Sequence, residues 1–369
     1  MKFLFPVIFF FLTISSHAQT GGKYKVIAYY TGNGEAIRQF ELNKLTHIIY
    51  SFLRLKNDTL CFHDSTQEAT VKKLVALKKD FPHLKIMVSV GGWGGCAPCS
   101  DLFADAEHRD KFAKTAFELF RKYGIDGLDL DWEYPAIEGY PGHTYKESDR
   151  NHFTALVTVL RKYFGKKYLL SFAAGGFVKY LEQSVDWPAV MKQVDFVNLM
   201  TYDLVGGYAT VTGHHTPLDG KRAGEESLTR CVDWLVQHWV HSKQLIAGAA
   251  FYARVWENVP DSNHGLYQAG EFKQGVSFRD SEKYFVKNPG YRYYWDSVAR
   301  APYCYNDSLH LFATFDDLRS VRGKADFVRR QKMGGMMFWE LQQDDFREGL
   351  LHAMVDEWRR PADHNQRGR

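Results

Sequence analysis

The chain has 369 residues, of which 45% are hydrophobic and 24% are charged, so it can bury a sizeable core and is not a disordered protein. Its net charge of +4 comes without a long basic run, which argues against a nucleic-acid partner. Aromatic residues make up 15% of the chain, a share that suits a sugar-stacking groove and a well-packed core equally well.

The first 18 residues are predicted to be a secretory signal peptide. Lys2 precedes an apolar stretch at 3–14, and the SSHAQ sequence that follows offers a cleavage site near Ala18. The apolar stretch is shorter than the roughly 20 residues that cross a bilayer, and no later segment is continuously apolar enough. We expect a secreted or periplasmic protein without membrane contact after cleavage, and a retained interfacial anchor is the less favoured alternative.

Eight short apolar runs, rich in β-branched residues, alternate with helical patterns. They lie at 24–30, 47–52, 85–90, 124–131, 168–174, 195–202, 244–250 and 334–339. The segments between most of them carry apolar residues at three- and four-residue spacing, as at 108–124 and 148–165. This alternation predicts an α/β fold, a (β/α)8 TIM barrel over 19–361. A doubly wound sheet usually has fewer strands and a Gly-rich phosphate turn, which we do not find.

The cysteine pattern leaves two interpretations open. The five cysteines are Cys61, Cys96, Cys99, Cys231 and Cys304, an odd number that leaves at least one without an intramolecular partner. Cys96 and Cys99 form a CAPC segment between the third run and a helix, which is typical of a thioredoxin-type redox motif. We favour the alternative, a short disulfide or two ordinary loop thiols, because the glycines ahead of the pair fit a different motif.

The fourth run ends in DGLDLDWEYP, the densest cluster of acids in the chain. Side chains alternate along a strand, so Asp129, Asp131 and Glu133 share one face, and the apolar residues between them share the other. In a barrel the acids would line the interior, with Glu133 outermost. A metal site would need further ligands from neighbouring strand ends, and none is evident; a solvated acidic face does not fit the alternation. An ionised Asp131 would disfavour deprotonation of Glu133, which predicts a general acid with a raised pKa and no cofactor.

The connection from 251 to 332 is too long for an ordinary barrel connection. Its last part, 315–331, has a helical pattern, whereas 255–311 is rich in Tyr, Phe, Gly and Asp and contains turn signals. We predict a small α+β subdomain at 255–311, inserted between strand 7 and helix 7 at the C-terminal rim, where barrel active sites lie. The polar tail at 362–369 is expected to be frayed.

Five motifs in this order resemble glycoside hydrolase family 18, the family of many chitinases. The DxxDxDxE signature is complete at 126–133. SVGGW at 89–93 is similar to the third-strand SxGG motif, and NLMTYDL at 198–204 to the sixth-strand Met-x-Tyr-Asp motif. FYAR at 251–254 resembles the seventh-strand Tyr-x-Arg, and GGMMFWEL at 334–341 the eighth-strand segment that ends in Trp.

The resemblance implies a role for each matching residue. Glu133 would protonate the glycosidic oxygen, Asp131 would orient the acetamido group of the substrate, and Asp129 would hold Asp131 in place. The acetamido oxygen, assisted by Tyr202, would attack the anomeric carbon, so the reaction would retain the β configuration. The implied substrate-binding residues are Trp93, Met200, Asp203, Tyr252, Arg254, Trp339, Tyr29 and Phe52, with Asp203 and Arg254 gripping sugar hydroxyls and Trp339 as an aromatic floor. The implied supporting residues are Ser89, Gly91, Gly92 and Asp126, with Ser89 donating to Asp126 or Asp129.

The resemblance therefore implies a monomeric chitinase that acts on chitin or chitooligosaccharides. An endo-β-N-acetylglucosaminidase acting on glycans would use the same chemistry and is the nearest alternative. A non-catalytic chitin-binding lectin would share the fold, but such proteins usually lack the last acid, which is present here as Glu133. One departure is that Asn33 and Gly34 stand where family members often carry an aromatic residue, so we expect a distal stacking subsite to be weak or missing.

Overall fold

A computed structural model describes residues 24–220, 222 and 224–360, so the predicted signal peptide and tail lie outside the described residues. Eight parallel strands form a closed barrel with helices between them, which confirms the predicted (β/α)8 fold. The strands are β1 (Lys25–Tyr30), β2 (His47–Lys56), β3 (Thr59–Cys61), β4 (Lys85–Gly91), β5 (Gly127–Asp131), β6 (Leu169–Gly175), β7 (Phe196–Met200), β8 (Leu245–Ala250), β9 (Tyr252–Glu257), β10 (Glu271–Ser277), β11 (Tyr291–Asp296), β12 (Ala301–Asn306), β13 (Leu311–Thr314) and β14 (Gly335–Trp339).

The barrel runs in the order β1, β2, β4, β5, β6, β7, β8 and β14, and β14 pairs back onto β1. The short β3 extends β2 as an antiparallel hairpin. The α-helices are α1 (Ser65–Ala76), α2 (Cys99–Leu102), α3 (Ala106–Tyr123), α4 (Asp149–Phe164), α5 (Val178–Gln183), α6 (Trp187–Val190), α7 (Leu228–Gln237), α8 (Phe278–Ser281), α9 (Leu318–Arg330) and α10 (Leu350–Arg359). Among the described residues, none of these helices is long and apolar enough to cross a membrane.

The helix before β5 shows how local sequence sets the element boundaries. The Asp105 side chain caps the start of α3 by accepting from the backbone N–H groups of Glu107 and His108. Gly124 ends the helix in a left-handed conformation with φ +73°, which costs a glycine little. The predicted fourth strand at 124–131 therefore started too early, because Gly124 belongs to the helix cap and β5 begins at Gly127.

The barrel strands bury both of their faces. Leu128, Leu130 and Trp132 on β5 and just after it pack outward against the helices, in the largest apolar cluster. The opposite faces of the strands point into the barrel, where a smaller cluster includes Tyr29 and Met337. Burying each such side chain contributes about 1.5–3 kcal/mol, so both faces help to hold the barrel closed.

A second, antiparallel sheet is inserted between β8 and α9, with the strand order β10, β9, β13, β12, β11. It extends from Tyr252 to Thr314, which is three residues beyond the predicted segment 255–311 at each end. Its Trp256 indole donates to the backbone oxygen of Ala209, in the loop after β7. The inserted sheet therefore packs directly on a loop at the C-terminal rim of the barrel.

The CAPC segment lies in the loop between β4 and α3. The structure joins Cys96 and Cys99 in a short disulfide, one of the two possibilities in the interpretation that we favoured, and α2, which starts at Cys99, is only four residues long. Cys61, Cys231 and Cys304 are free thiols. The disulfide thus closes a rim loop that begins directly after the SVGGW motif.

Candidate active site

Asp129 lies fully buried inside the barrel, where four side chains donate to its carboxylate. Tyr29 Oη and Ser89 Oγ lie 2.8 and 3.1 Å from Oδ2, and Ser171 Oγ and Asn198 Nδ2 lie 2.6 and 3.1 Å from Oδ1. Burial raises the pKa of Asp129, and these hydrogen bonds oppose the rise. Ser171 and Asn198 were missed by the sequence analysis, although each is a polar residue in an otherwise apolar strand.

Tyr29 was predicted to bind substrate, but it is only 1% exposed. Its hydroxyl donates to Asp129 and accepts from Asn198 Nδ2 at 3.1 Å. Tyr29 therefore lies beneath the site and supports Asp129.

Asp131 is the least hydrogen-bonded of the three acids. Its side chain is buried, and among the described residues its Oδ1 atom has no hydrogen-bond partner. Asp131 is not among the side chains that donate to Asp129, so Asp129 acts on Asp131 through its charge. Burial, followed by the charges of Glu133 and Asp129, raises the pKa of Asp131 well above its usual range.

Glu133 follows the end of β5 by two residues and lies partly buried at the mouth of the barrel. Burial raises the pKa of Glu133 to about 7, the charge of Asp203 adds to the rise, and a hydrogen bond with Tyr134 opposes it. The raised pKa matches the prediction, but its main cause is burial rather than Asp131. A carboxyl group with this pKa still carries a proton near neutral pH and can give it to a leaving group.

An aromatic pocket surrounds the acids on the β7, β8 and β14 side. Met200, Tyr202, Tyr252 and Met337 belong to one buried cluster, and the Tyr202 and Tyr252 rings meet edge to face at 6.3 Å. Trp339 is partly exposed above this cluster.

Phe52 extends this aromatic surface toward β2. Its ring stacks on Trp339 with centroids 5.7 Å apart and planes inclined by 19°. Together they form an apolar floor on which a sugar ring can stack.

Asp203 and Arg254 were predicted to grip sugar hydroxyls, and the structure pairs them with each other. Arg254 Nε and Nη2 donate to the two Asp203 oxygens at 2.7 and 2.6 Å, while His215 Nδ1 lies 3.5 Å from Asp203. Burial favours a higher pKa for Asp203, but hydrogen bonds from His215 and Arg254 outweigh it and hold that pKa well below its usual range. Asp203 is thus a fixed negative charge beside Glu133, and His215 is a partner that the sequence analysis missed.

Trp93 stands at the rim with 46% of its surface exposed. Its ring lies 5.7 Å from Tyr140, 6.0 Å from Tyr208 and 6.3 Å from Tyr134. Tyr208 is 70% exposed, and the sequence analysis missed both Tyr208 and Tyr140 because they lie in loops without a periodic pattern. These rings form an open aromatic surface beyond Glu133.

The two glycines before Trp93 allow the loop that carries Trp93 to pass close to β5 and to Phe52. Gly91 and Gly92 have φ values of +115° and +81°. A side chain at Gly91 would lie 2.0 Å from the backbone oxygen of Asp131, and one at Gly92 would lie 2.5 Å from the Phe52 ring. Any larger residue would push the Trp93 loop away from the acids.

Asp126 was predicted to support the site, but it precedes β5 at the opposite end of the barrel from Glu133. Its Oδ2 accepts from Lys78 Nζ at 2.9 Å and from the backbone N–H of Ile86 at 2.8 Å. Ser89, for which we predicted a bond to Asp126 or Asp129, donates to Asp129. Asp126 therefore fastens the base of the barrel.

Comparisons with known proteins agree with this geometry. The family model described as Glycosyl hydrolases family 18 matches residues 25–344. The chain is 32% identical to Chitinase A1 of Niallia circulans over 76% of its own length, and it spans 44% of that relative, less than half. It is 30% identical to Chitinase B of Serratia marcescens, over 87% of this chain and 77% of the relative. A solved structure of a family 18 N-acetylglucosaminidase from Paenibacillus barengoltzii is similar with a TM-score of 0.82 and 33% identity, covering 91% of this chain and 100% of that one.

Proposed function

Because the chain belongs to glycosyl hydrolase family 18, we propose that it is a chitinase that hydrolyses β-1,4-linked N-acetylglucosamine polymers. The observation that carries the proposal is Glu133, a partly buried carboxyl with a pKa of about 7 at the mouth of the barrel. Asp131 lies beside it with a buried oxygen that no described residue satisfies. An acetamido N–H of the substrate would supply the donor that this oxygen lacks.

The reaction would proceed in two steps. Glu133 gives its proton to the glycosidic oxygen, the bond from that oxygen to the anomeric carbon breaks, and the acetamido oxygen bonds to the same carbon. Asp131 accepts from the acetamido N–H, and the Tyr202 hydroxyl, whose pKa is held well above its usual range by burial, donates to the acetamido oxygen. Water then attacks the anomeric carbon and loses a proton to the Glu133 carboxylate. The bond to the acetamido oxygen breaks, and the sugar is released with the β configuration.

The aromatic residues would bind the polymer on both sides of the cleaved bond. The sugar whose acetamido group reacts would stack on Trp339, above the cluster that contains Tyr202. The leaving part of the chain would cross the surface around Trp93, and the inserted sheet would form a wall beside it. Asp203 and Arg254 would orient sugar hydroxyls as a hydrogen-bonded pair.

We also propose that the protein acts outside the cytoplasm as a monomer, after loss of residues 1–18. The support for export is the charged and apolar pattern of that segment. An insoluble polymer cannot enter a cell, so an enzyme that degrades it must be exported.

The experiment that tests the proposed function is product analysis with two substrate classes. Purified protein is incubated with chitin oligosaccharides and, separately, with N-glycoproteins, and Glu133→Gln serves as the inactive control. Cleavage of the oligosaccharides alone supports a chitinase, whereas release of glycans from the glycoproteins would favour the endo-β-N-acetylglucosaminidase. Binding without cleavage would favour the lectin. Release of single N-acetylglucosamine units would instead favour an N-acetylglucosaminidase, the name given to the protein in the similar Paenibacillus barengoltzii structure.

Stereochemistry tests the mechanism separately. Proton NMR within the first minutes, before mutarotation, should show mainly β product, and a bond next to a deacetylated sugar at the cleavage position should resist hydrolysis. A mainly α product would exclude the acetamido oxygen as the nucleophile.

A further inference from the structure

A buried ion pair lies at the C-terminal ends of β7 and β8, between α9 and the segment that leads into it. Lys324 and Asp316 are both buried, and Lys324 Nζ lies 2.6 Å from Asp316 Oδ2. Desolvating two charges is costly, and an apolar pair of similar volume is often as stable. Stability alone therefore does not explain the pair.

Asp316 holds the end of β8. Its Oδ2 accepts from the backbone N–H of Ala250, the last residue of that strand, at 3.0 Å. Its Oδ1 accepts from the Ser320 hydroxyl on α9 at 2.6 Å. Two residues after Ala250 comes Tyr252, and two residues further comes Arg254, so the bond to Ala250 fixes the point from which both enter the site.

Lys324 reaches the end of β7 through Thr216. Lys324 Nζ donates to the Thr216 hydroxyl at 2.6 Å. That hydroxyl lies 3.2 Å from the backbone oxygen of Thr201 and 3.1 Å from Asp316 Oδ2, and its hydrogen can serve either acceptor. Thr201 directly precedes Tyr202 in the chain.

We propose that Lys324 and Asp316 are positioning residues that fix the ends of β7 and β8 relative to each other. They thereby set where Tyr202 and the paired Asp203 stand relative to Glu133. This inference rests on the proposed function, since it says how the same site is held. A displacement of about 1 Å at a reacting group can cost about 100-fold in rate, so such a support affects kcat without touching substrate.

By holding the end of β7, the Lys324–Asp316 ion pair also affects the pKa of Glu133. Asp203, which faces His215, Arg254 and Tyr252, raises the pKa of Glu133 through its charge. If the end of β7 shifts and Asp203 moves away from Glu133, the pKa of Glu133 falls. The alkaline limb of the activity profile, where Glu133 loses its proton, then moves to lower pH. A general loss of stability would not move this limb.

The first test removes the link to β7 and leaves the ion pair in place. Thr216→Val should lower kcat on a soluble chitooligosaccharide by about tenfold, keep KM within about twofold and shift the alkaline limb to lower pH. Thr216→Ser, which restores the hydroxyl, should recover both quantities. The matched control is Thr115→Val on α3, which also loses a bonded hydroxyl but should keep the wild-type kcat and pH profile.

The second test removes the charges. Lys324→Met leaves Asp316 buried without its cation and should lose both stability and activity. Lys324→Met with Asp316→Asn should regain much of the thermal stability while kcat stays low. Folded Thr216→Val protein with wild-type kcat and alkaline limb would overturn the inference, whether or not the Lys324 variants fold. Wild-type protein without hydrolytic activity would instead overturn the proposed function.

Discussion

At the scale of single residues, three acids that follow one another along the chain differ in what surrounds them. Asp129 accepts from four donors, Asp131 is buried near like charges, and Glu133 is partly buried at the open mouth of the barrel. The donors favour a charge on Asp129, whereas Asp131 and Glu133 both have raised pKa values, and the hydrogen bond with Tyr134 does not offset burial at Glu133. Of these two acids, Glu133 lies at the mouth of the barrel, where its proton can reach a bound substrate.

The position of Tyr29 gives a prediction that separates support from substrate binding. Tyr29→Phe removes one of the four donors to Asp129, and a hydrogen bond to a charged group is worth about 1.5–3 kcal/mol. Because three donors remain, we expect only part of this energy to be lost in the transition state, so that kcat falls about 5- to 20-fold. KM should stay within about twofold, because the lost interaction does not involve substrate directly. Steady-state kinetics on a soluble oligosaccharide measures both. A raised KM with unchanged kcat would mean that Tyr29 contacts the sugar, as the sequence analysis supposed.

The acids could be predicted from sequence because strand alternation places them on one face. Of the four donors to Asp129, Ser89 was predicted, with Asp126 or Asp129 as its partner. The other three were not predicted as donors, because Tyr29, Ser171 and Asn198 come from three other strands and meet only in the closed barrel. A lone polar residue inside an apolar strand is a signal, but it does not name its partner.

At the scale of elements, the strand runs were predicted to within a few residues because each is short, apolar and flanked by a helical pattern. His47–Lys56 is longer than the predicted 47–52 because residues 54–56 continue the strand and pair with Thr59–Cys61 in an antiparallel hairpin. The strands of the inserted sheet were not predicted individually. Their antiparallel pairing depends on contacts such as Arg254 with Thr314, which are 60 positions apart.

Trp93 directly precedes the rim loop closed by Cys96 and Cys99, and this gives a second prediction. Replacing both cysteines with serine should loosen the loop and raise KM for long chitooligosaccharides about threefold, with kcat on a short substrate unchanged. Cys61→Ser, which changes a free thiol, is the control. Insulin reduction by the wild-type protein would favour the thioredoxin interpretation and contradict this one.

The inserted sheet gives a third prediction, because β9 and β13 pair with each other and form its base. Replacing 258–310 with a short turn removes β10, β11 and β12 and keeps the pairing of β9 with β13, in which Trp256 pairs with Phe312 and Arg254 with Thr314. We expect a folded barrel that still cuts soluble oligosaccharides. Its activity on insoluble chitin should fall about tenfold more than its activity on soluble oligosaccharides, since one wall of the groove is gone. Circular dichroism and assays on both substrates decide this. A variant that cannot fold would show that the sheet is part of the barrel core.

At the scale of the whole molecule, ionisation of Glu133 in the folded protein lowers the free energy of unfolding. A folded-state pKa of about 7 for Glu133, against 4.5 unperturbed, means that the folded protein binds more protons than the unfolded chain between these pH values. The free energy of unfolding therefore falls as pH rises through this window. The cost is absent below about pH 4.5 and complete above about pH 7. Its upper bound is about 3.5 kcal/mol, since the pKa rises from 4.5 to about 7 and one pKa unit corresponds to about 1.4 kcal/mol.

The same linkage gives the last prediction, in which an inactivating substitution stabilises the protein. Glu133→Gln removes the ionisable group, so its Tm should match the wild type near pH 4 and exceed it by up to about 5 °C at pH 8. Asp203→Asn should instead have a lower Tm than the wild type throughout pH 4 to 8, because the lowered pKa of Asp203 contributes stability that is present above about pH 4 and is lost only at still lower pH. Thermal unfolding of the three proteins across this pH range measures both effects. Equal Tm values for wild type and Glu133→Gln at pH 8 would mean that Glu133 ionises in the folded protein as easily as in the unfolded chain, and that it cannot hold the proton that hydrolysis requires.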